Sequence, residues 1–422
     1  MTKGTRVLAW VLVAVALSAC ADSSSTATSA VTDSAGVRIV TNLPGSIEAA
    51  EEWSLSTNAV VEIGAGADPD VPLHRVTAVA PLEDGRVAVS ANSPARALVL
   101  APDGTLLATL GREGNGPGEF SSVASVVPLG PDSLAVWDDS RRRISVFTGG
   151  GDYVREVDLS GLALLTPLAA GSSDQLAAWT YLLPSGSGSL LLFQIGIFGA
   201  PEPGIRRVEA PSYRITTAGQ ELARLGPFPG EEFFDFGPGQ GGVVPFPFGA
   251  DTHGATTDDA LVLGTAEAPE IRYHTASGAL ERIVRWPDED RTFGGPFVAD
   301  WTEFVDSWLA PMPPGESEGI RGFLDATPRP ERFPAYDDLV AADEGEIWVG
   351  AYAGEHTVPY PTRNARVPAR RWLVFDTQGA LAARVETPEG FLPHAVREGR
   401  VWGVYTDELE VESVRAYEIV QP

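Results

Sequence analysis

The chain has 422 residues, with 30 Lys plus Arg against 57 Asp plus Glu, a formal charge of −27 and a single cysteine. So acidic a chain repels phosphate backbones, which argues against a nucleic-acid partner, and its charge reads first as solubility. One cysteine (Cys20) excludes an intramolecular disulfide and a cysteine-rich metal site, and the only lysine, Lys3, sits at the extreme N-terminus, which removes Schiff-base and P-loop lysine chemistry.

Lys3 and Arg6 precede an apolar run over residues 7–17, too short to span a bilayer as a helix but suited to a signal peptide. Leu17-Ser18-Ala19-Cys20 resembles the lipobox of bacterial lipoproteins, and the resemblance implies cleavage after residue 19 and a lipid on Cys20. Loss of Lys3 and Arg6 takes the charge to −29. An ordinary signal peptide with a chance cysteine is the alternative. Residues 21–34 are rich in Ser, Thr and Ala and lack large apolar side chains, as a flexible tether does. The expected organisation is a signal peptide (1–19), a lipidated cysteine with its tether (20–35) and a folded part (36–422). Ala21, not Asp, follows the cysteine, so inner-membrane retention is not indicated. The expectation is a lipid-anchored protein of the bacterial envelope, extracytoplasmic, at the outer membrane or cell surface.

Next come strand-like segments at 37–40 and 53–63, and then one pair of short strands recurs six times. The first strand of the pair reads Gly-Arg-Val-Ala-Val at 85–89, with equivalents at 132–137, 175–179, 260–263, 346–349 and 400–404. The second reads Ala-Leu-Val-Leu at 97–100, with equivalents at 143–147, 212–215, 270–274, 372–375 and 414–417. A single such unit cannot bury its own apolar face, so an array of them predicts a propeller or a solenoid. Around the first pair lie an inner strand at 75–80, a turn at Glu83-Asp84-Gly85, another at Pro102-Asp103-Gly104 and an outer strand at 105–110. Outer-hairpin turns recur at Gly149-Gly150-Gly151, Ala218-Gly219, Ser277-Gly278 and Gln378-Gly379, while the sixth unit runs out before its fourth strand. An N-terminal strand that completes the last blade would close the ring and remove exposed edges. Neither end shows a polar cap, which favours the ring over an open solenoid. The fold class expected is all-β: a six-bladed propeller with four-stranded blades, the last closed by the N-terminus.

Each unit takes about 60 residues, more than the ~40–50 of common propeller repeats. The excess falls at 181–211, 226–242, 286–337 and 351–371, always after a second or fourth strand, hence on one face of the ring. Long loops in compact domains are characteristically binding or gating elements. Trp301, Phe304, Val305, Trp308 and Phe323 have helical spacing and predict one or two short helices within 286–337. These aromatics could equally pack the insertion onto the ring.

The stretch Gly111-Arg-Glu-Gly-Asn-Gly-Pro-Gly-Glu-Phe120, followed by Val136-Trp-Asp-Asp139 and Arg143-Ile-Ser-Val-Phe147, resembles an NHL repeat. The match is specific over 111–159 and weaker elsewhere: the fifth unit keeps Trp372-Leu-Val-Phe375-Asp376 and Gly379, while the third and fourth lack the aspartate and the arginine. As a whole the chain is similar to NHL-like six-bladed lipoproteins of bacteria. The resemblance implies a six-bladed ring and, in most such propellers, binding of proteins or other macromolecules; neighbouring propeller families include lactonases and other metal-dependent enzymes.

Chemistry-bearing residues are few. The glycine run 111–118 is followed by a strand and not by a helix, so it is a blade connection and not a nucleotide loop. Counting back from the second strands puts His253 on an inner strand, in register with Val79, Val126, Leu168 and Leu339, with His394 within one residue of the same place. Two imidazoles in a channel, with Asp251 and Glu398 near in sequence, are weak candidates for a divalent metal site. The apolar residues at matching positions favour packed histidines instead. The acidic clusters at 286–290 and 407–412 lack the Gly-punctuated spacing of a calcium loop and read as solvated loops. Arg141, Arg142 and Arg143, and Arg363, Arg366, Arg370 and Arg371, are basic islands on the insertion face, suited to carboxylate or phosphate recognition or to internal pairing.

The function these features favour is a ligand-binding or protein-binding module. Its candidate binding face comprises Arg141, Arg143, Tyr181, Trp301, Trp308, Tyr352, Tyr360 and Arg363. No catalytic residue is nominated and no cofactor is expected, a divalent metal remaining open. Expected partners are the membrane, through the lipid, and a protein, small-molecule or glycan ligand. Alternatives are a metal-dependent hydrolase or lactonase at the channel mouth, and a structural envelope protein.

Overall fold

The computed structural model describes residues 27–64, 73–162, 178–185, 189–196, 204–235, 243–246, 248–258, 260–294, 296–352 and 367–422. Six antiparallel sheets succeed one another along the chain and form the blades of a propeller ring. Blade one shows the plan: an inner strand Val76–Pro81, then Val87–Asn92, Ala95–Leu100 and an outer strand Leu106–Leu110. The two middle strands are sandwiched between neighbouring blades, so both their faces are buried and they read as continuous apolar runs. The outer strand alternates buried and exposed residues, because one face meets solvent.

The outer-hairpin turns have the geometry their glycines predict. Gly104, Gly151, Gly219, Gly278 and Gly379 all have φ between 84° and 95°. Gly379 also needs the space: a Cβ there would lie 2.5 Å from Val284 Cγ2 of blade four.

Each blade-to-blade interface has its own apolar core. Val99, Phe120, Val136 and Phe147 join blades one and two; Trp137, Ile144, Leu192 and Tyr213 join two and three; Leu191, Leu225, Leu261 and Leu263 join three and four. Tyr273, Trp286, Tyr336 and Phe375 join four and five, and Trp348, Trp372, Phe391 and Tyr417 join five and six. Trp402, Val404 and Val414 of blade six then pack on Val79, Val87 and Leu98 of blade one, which closes the circle.

The N-terminal segment does more than complete one blade. The strand Val37–Asn42 pairs in parallel with Leu280–Arg285, the outer strand of blade four, and Ser29–Ser34 pairs on its far side. Glu51–Glu52 then lies along the outer strand of blade five, Leu381–Thr387. Ser54–Leu55 and Val61–Ile63 pair with Glu412–Val420 of blade six and supply its outer edge. This strap buries Val40, Ile47 and Ala50 in the four–five core and Val61 and Ile63 in the six–one core. Of the two expected closing strands, then, only the second completes the last blade; residues 37–40 extend blade four. The tether expected to reach residue 35 already carries a strand at Ser29–Ser34.

Blade three also departs from expectation. Residues 175–179, read as its second strand, belong partly to its inner strand, Ala178–Ser185, and the second strand is Ser189–Gly196. The presumed insertion at 181–211 therefore consists largely of blade strands. Ser185 pairs with Ser189, so two apolar runs on either side of a Ser-Gly-Ser-Gly sequence are neighbouring strands. Glu221–Asp235 likewise extends as strand well into 226–242. The expected helices form at Pro296–Leu309 and Pro314–Ala326, between blades four and five.

Candidate functional site

The loops that follow second and fourth strands share one face of the ring, where the inner strands begin. On that face, blades three to five place ionisable side chains around the channel mouth. His253 opens the inner strand of blade four, His253–Thr256. Tyr336 opens that of blade five, Tyr336–Ala341, and the two rings lie 6.0 Å apart. Between Tyr336 and Asp338 the pairing register shifts, so Asp337 is an extra bulged residue and Asp338 pairs with Gly350. Arg370, at the start of the third strand of blade five, bridges Asp337 at 3.1 Å and Asp338 at 3.6 Å.

Arg207 organises the blade-three side. Its Nε donates to Gly230 O at 2.5 Å, and its Nη atoms donate to Glu267 Oε1 at 2.6 Å, Thr252 Oγ1 at 2.9 Å and Thr265 O at 3.0 Å. These bonds tie the outer hairpin of blade three to the entry of blade four. The charge of Arg207 acts on Asp251, and that of Asp251 on Glu231.

The electrostatics follow from enclosure. His253 is hemmed in by protein, and desolvation, followed by the nearby Arg370 and Arg207, lowers its pKa to about 3. The imidazole is therefore neutral at neutral pH. Burial pushes the Glu231 carboxyl up, and the charge of Asp251 adds to it. Asp251 is raised by burial against the opposing pull of the Thr252 N–H and Arg207. Asp338 is raised by burial, with Arg370 opposing. A buried carboxyl group with a raised pKa can hold a proton and donate it, and a neutral imidazole can both donate and accept.

His394 lies on the inner strand of blade six, Phe391–Arg397, as the extra residue of a bulge between Pro393 and Ala395. Desolvation lowers its pKa to about 4. Among the described residues, no group of three or more His, Cys, Asp or Glu side chains is placed to hold a metal ion.

The other candidates are placed as follows. Trp301 belongs to the helix Pro296–Leu309 and is buried at 4% exposure, edge-on to Phe248 at 5.2 Å and with the Arg329 guanidinium 4.4 Å over its ring. Trp308 and Tyr352 pack partly buried against the same cluster, Tyr352 stacked on Phe333 at 5.7 Å. Arg141 donates to Gly114 O at 2.6 Å and to Asn115 Oδ1, and Arg143 donates to Glu156 Oε2 at 2.8 Å and to Glu119 O. Both arginines thus clamp the glycine-rich connection at 111–120. Tyr181 lies on the inner strand of blade three. Cys20, Tyr360 and Arg363 lie outside the described residues, as does Leu168. The acidic cluster at 286–290 is partnered: Asp288 binds Arg291 at 2.7 Å and Arg332 at 2.9 Å, and Glu289 binds Arg371.

Sequence reading passed over Arg207, Glu231 and Asp338. The available signal was a charged pair, Asp337-Asp338, on an inner strand at the positions where blade one has Thr77-Ala78.

No family model and no curated protein sequence matches the chain. Among solved structures, it is similar to a member of the DUF4221 family from Bacteroides vulgatus at 11% identity and a TM-score of 0.49, covering 88% of this chain and 99% of that one. A gluconolactonase from Xanthomonas campestris matches at 13% identity and TM-score 0.41, over 87% and 100% of the two chains. Virginiamycin B lyase from Staphylococcus aureus matches at 13% identity and TM-score 0.40, over 88% and 100%. At these identities the likenesses bear on no residue of the site.

Proposed function

We propose that this protein is a ligand-binding propeller, displayed outside the cytoplasm on a lipid attached to Cys20, which recognises its ligand at the channel mouth of the insertion-bearing face. The observation that carries the reading is the gathering of Arg207, Glu231, Asp251, His253, Asp338 and Arg370 around the starts of the inner strands. Both arginines are already bonded to Glu267 and Asp337, so what the mouth offers a ligand is mainly acceptors and the proton of a carboxyl pair. That chemistry suits a polyhydroxylated or amine-bearing ligand, such as a glycan, better than an anion. The NHL-like residues 111–159 agree with a binding role. A thermal-shift panel of soluble glycans and polyamines, run on the wild type and on Asp338→Asn and His253→Ala, tests it. A saturable shift weakened in both variants supports the mouth; shifts indifferent to both overturn it.

A second reading, hydrolysis at the same mouth, is favoured by the Glu231–Asp251 pair beside a neutral His253, an arrangement able to transfer protons. Lactone and ester hydrolysis, measured with EDTA and with added Ca²⁺, Zn²⁺ or Mn²⁺, separates it from simple binding. Turnover abolished in Glu231→Gln supports it, and no turnover on either substrate class under any condition removes it.

A further inference from the structure

On the opposite, tight-turn face, a cavity of about 140 Å³ opens between blades three and four. It is independent of the channel mouth. Its floor is Leu191, Leu225 and Leu261, each at 5% exposure or less. Its rim carries Thr256, Asp258 and Arg214. Arg214 lines the cavity, and its Nε donates to Ser189 Oγ at 2.9 Å. Asp258 stands exposed in the turn before Ala260–Gly264. The leucine floor belongs to the core that joins the two blades, so the cavity is built on rigid elements, not on loops.

Size and chemistry together narrow the occupant. An apolar cavity of about 150 Å³ accepts a molecule the size of benzene, so an occupant with its polar end at the open rim has roughly six to nine non-hydrogen atoms. The leucines call for a short branched hydrocarbon, the guanidinium for a carboxylate and Asp258 for an ammonium group. A free α-amino acid with an aliphatic side chain carries all three on one small frame. We propose that this cavity binds an aliphatic amino acid in the valine-to-leucine size range, side chain on the leucine floor, carboxylate toward Arg214 and ammonium toward Asp258.

The test is calorimetric titration of the folded chain with L-valine and L-leucine, beside isovalerate and isobutylamine, which each lack one charge. The expected result is saturable binding of at least one of the amino acids, weakened by about tenfold for either singly charged analogue and in Arg214→Gln. Asp258→Asn, on an exposed side chain that leaves packing intact, should weaken the amino acid by a similar factor without changing isovalerate binding. No binding of either amino acid, isovalerate binding as tight as leucine, or indifference to Asp258→Asn would each overturn the proposal.

Discussion

Asn42 offers the sharpest test of how the N-terminal strap holds the ring. It ends the strand Val37–Asn42 at 2% exposure, where blade four hands over to blade five. Its Nδ2 donates to Arg285 O at 3.0 Å and to Gly379 O at 3.1 Å, and its Oδ1 accepts from Leu381 N at 2.8 Å. Asn42→Ala leaves an N–H and two carbonyls without these partners. A stranded buried N–H costs about 1–3 kcal/mol, and carbonyls with a second lone pair cost less, so the total is about 2–4 kcal/mol. With roughly 2 cal/mol/K of unfolding entropy per residue, a ring of this size should lose about 3–5 °C of Tm. Urea unfolding followed by tryptophan fluorescence gives the free energy, and calorimetry gives the Tm. Asn42→Asp sharpens the case: it keeps the acceptor for Leu381 but turns a carboxylate oxygen toward two carbonyls. At neutral pH it should therefore be at least as destabilised as the alanine variant. A loss below about 0.5 kcal/mol for Asn42→Ala, the range of ordinary surface changes, would mean that these three bonds do not hold the strap.

The remaining expectations concern other parts of the ring. Tyr336 donates its hydroxyl to Glu270 O at 2.8 Å and accepts from Ala266 N at 3.2 Å, so Tyr336→Phe should cost about 1–3 kcal/mol in the same denaturation assay. Arg143→Ala should speed amide hydrogen exchange across 112–119, where that side chain holds the glycine connection, while exchange in the middle strands of blade five stays slow. His394, neutral at a pKa of about 4 in the fold, takes up its proton only after unfolding, so it costs stability as pH falls below its ordinary value of about 6.5. Its contribution to the acid limb approaches 1.4 kcal/mol per pH unit, and His394→Asn should flatten the stability profile between pH ~6 and ~4.5 by about 1 kcal/mol per unit. An unchanged slope would mean that the ring is open to water. The raised pKa values of Glu231 and Asp251 act with the opposite sign: they bind protons more tightly in the fold, so their contribution is present at low pH and lost as pH rises.

The repeating unit was legible from the residues alone, because each middle strand is buried on both faces and must be a continuous apolar run, as at Val87-Ala-Val89 and Trp372-Leu-Val-Phe375. The outer-hairpin turns were legible for a local reason as well: a positive φ leaves glycine little competition, and Gly104 and Gly379 could be placed without knowing the ring. The two insertion helices were legible from the spacing of Trp301, Val305 and Trp308, a period set within one element. Blade three was harder, because Leu190-Leu-Leu-Phe193 fits a strand or a buried helix equally by composition and only its pairing with Tyr213 and Ile215 settles the question. Of the strap, the strand that closes blade six was legible from the missing fourth strand of the last unit, but its earlier part was not: parallel pairing of Val40 with Val284 joins residues far apart in the chain, and no local signal chooses blade four over blade six. The channel mouth is of the same kind. Arg207, Glu231 and Asp338 are unremarkable where they stand in the chain, and only the closing of the blades sets them near His253 and Asp251, which the sequence did single out. Enclosure there, and not residue type, is what keeps the histidine neutral and raises the carboxyl pKa values.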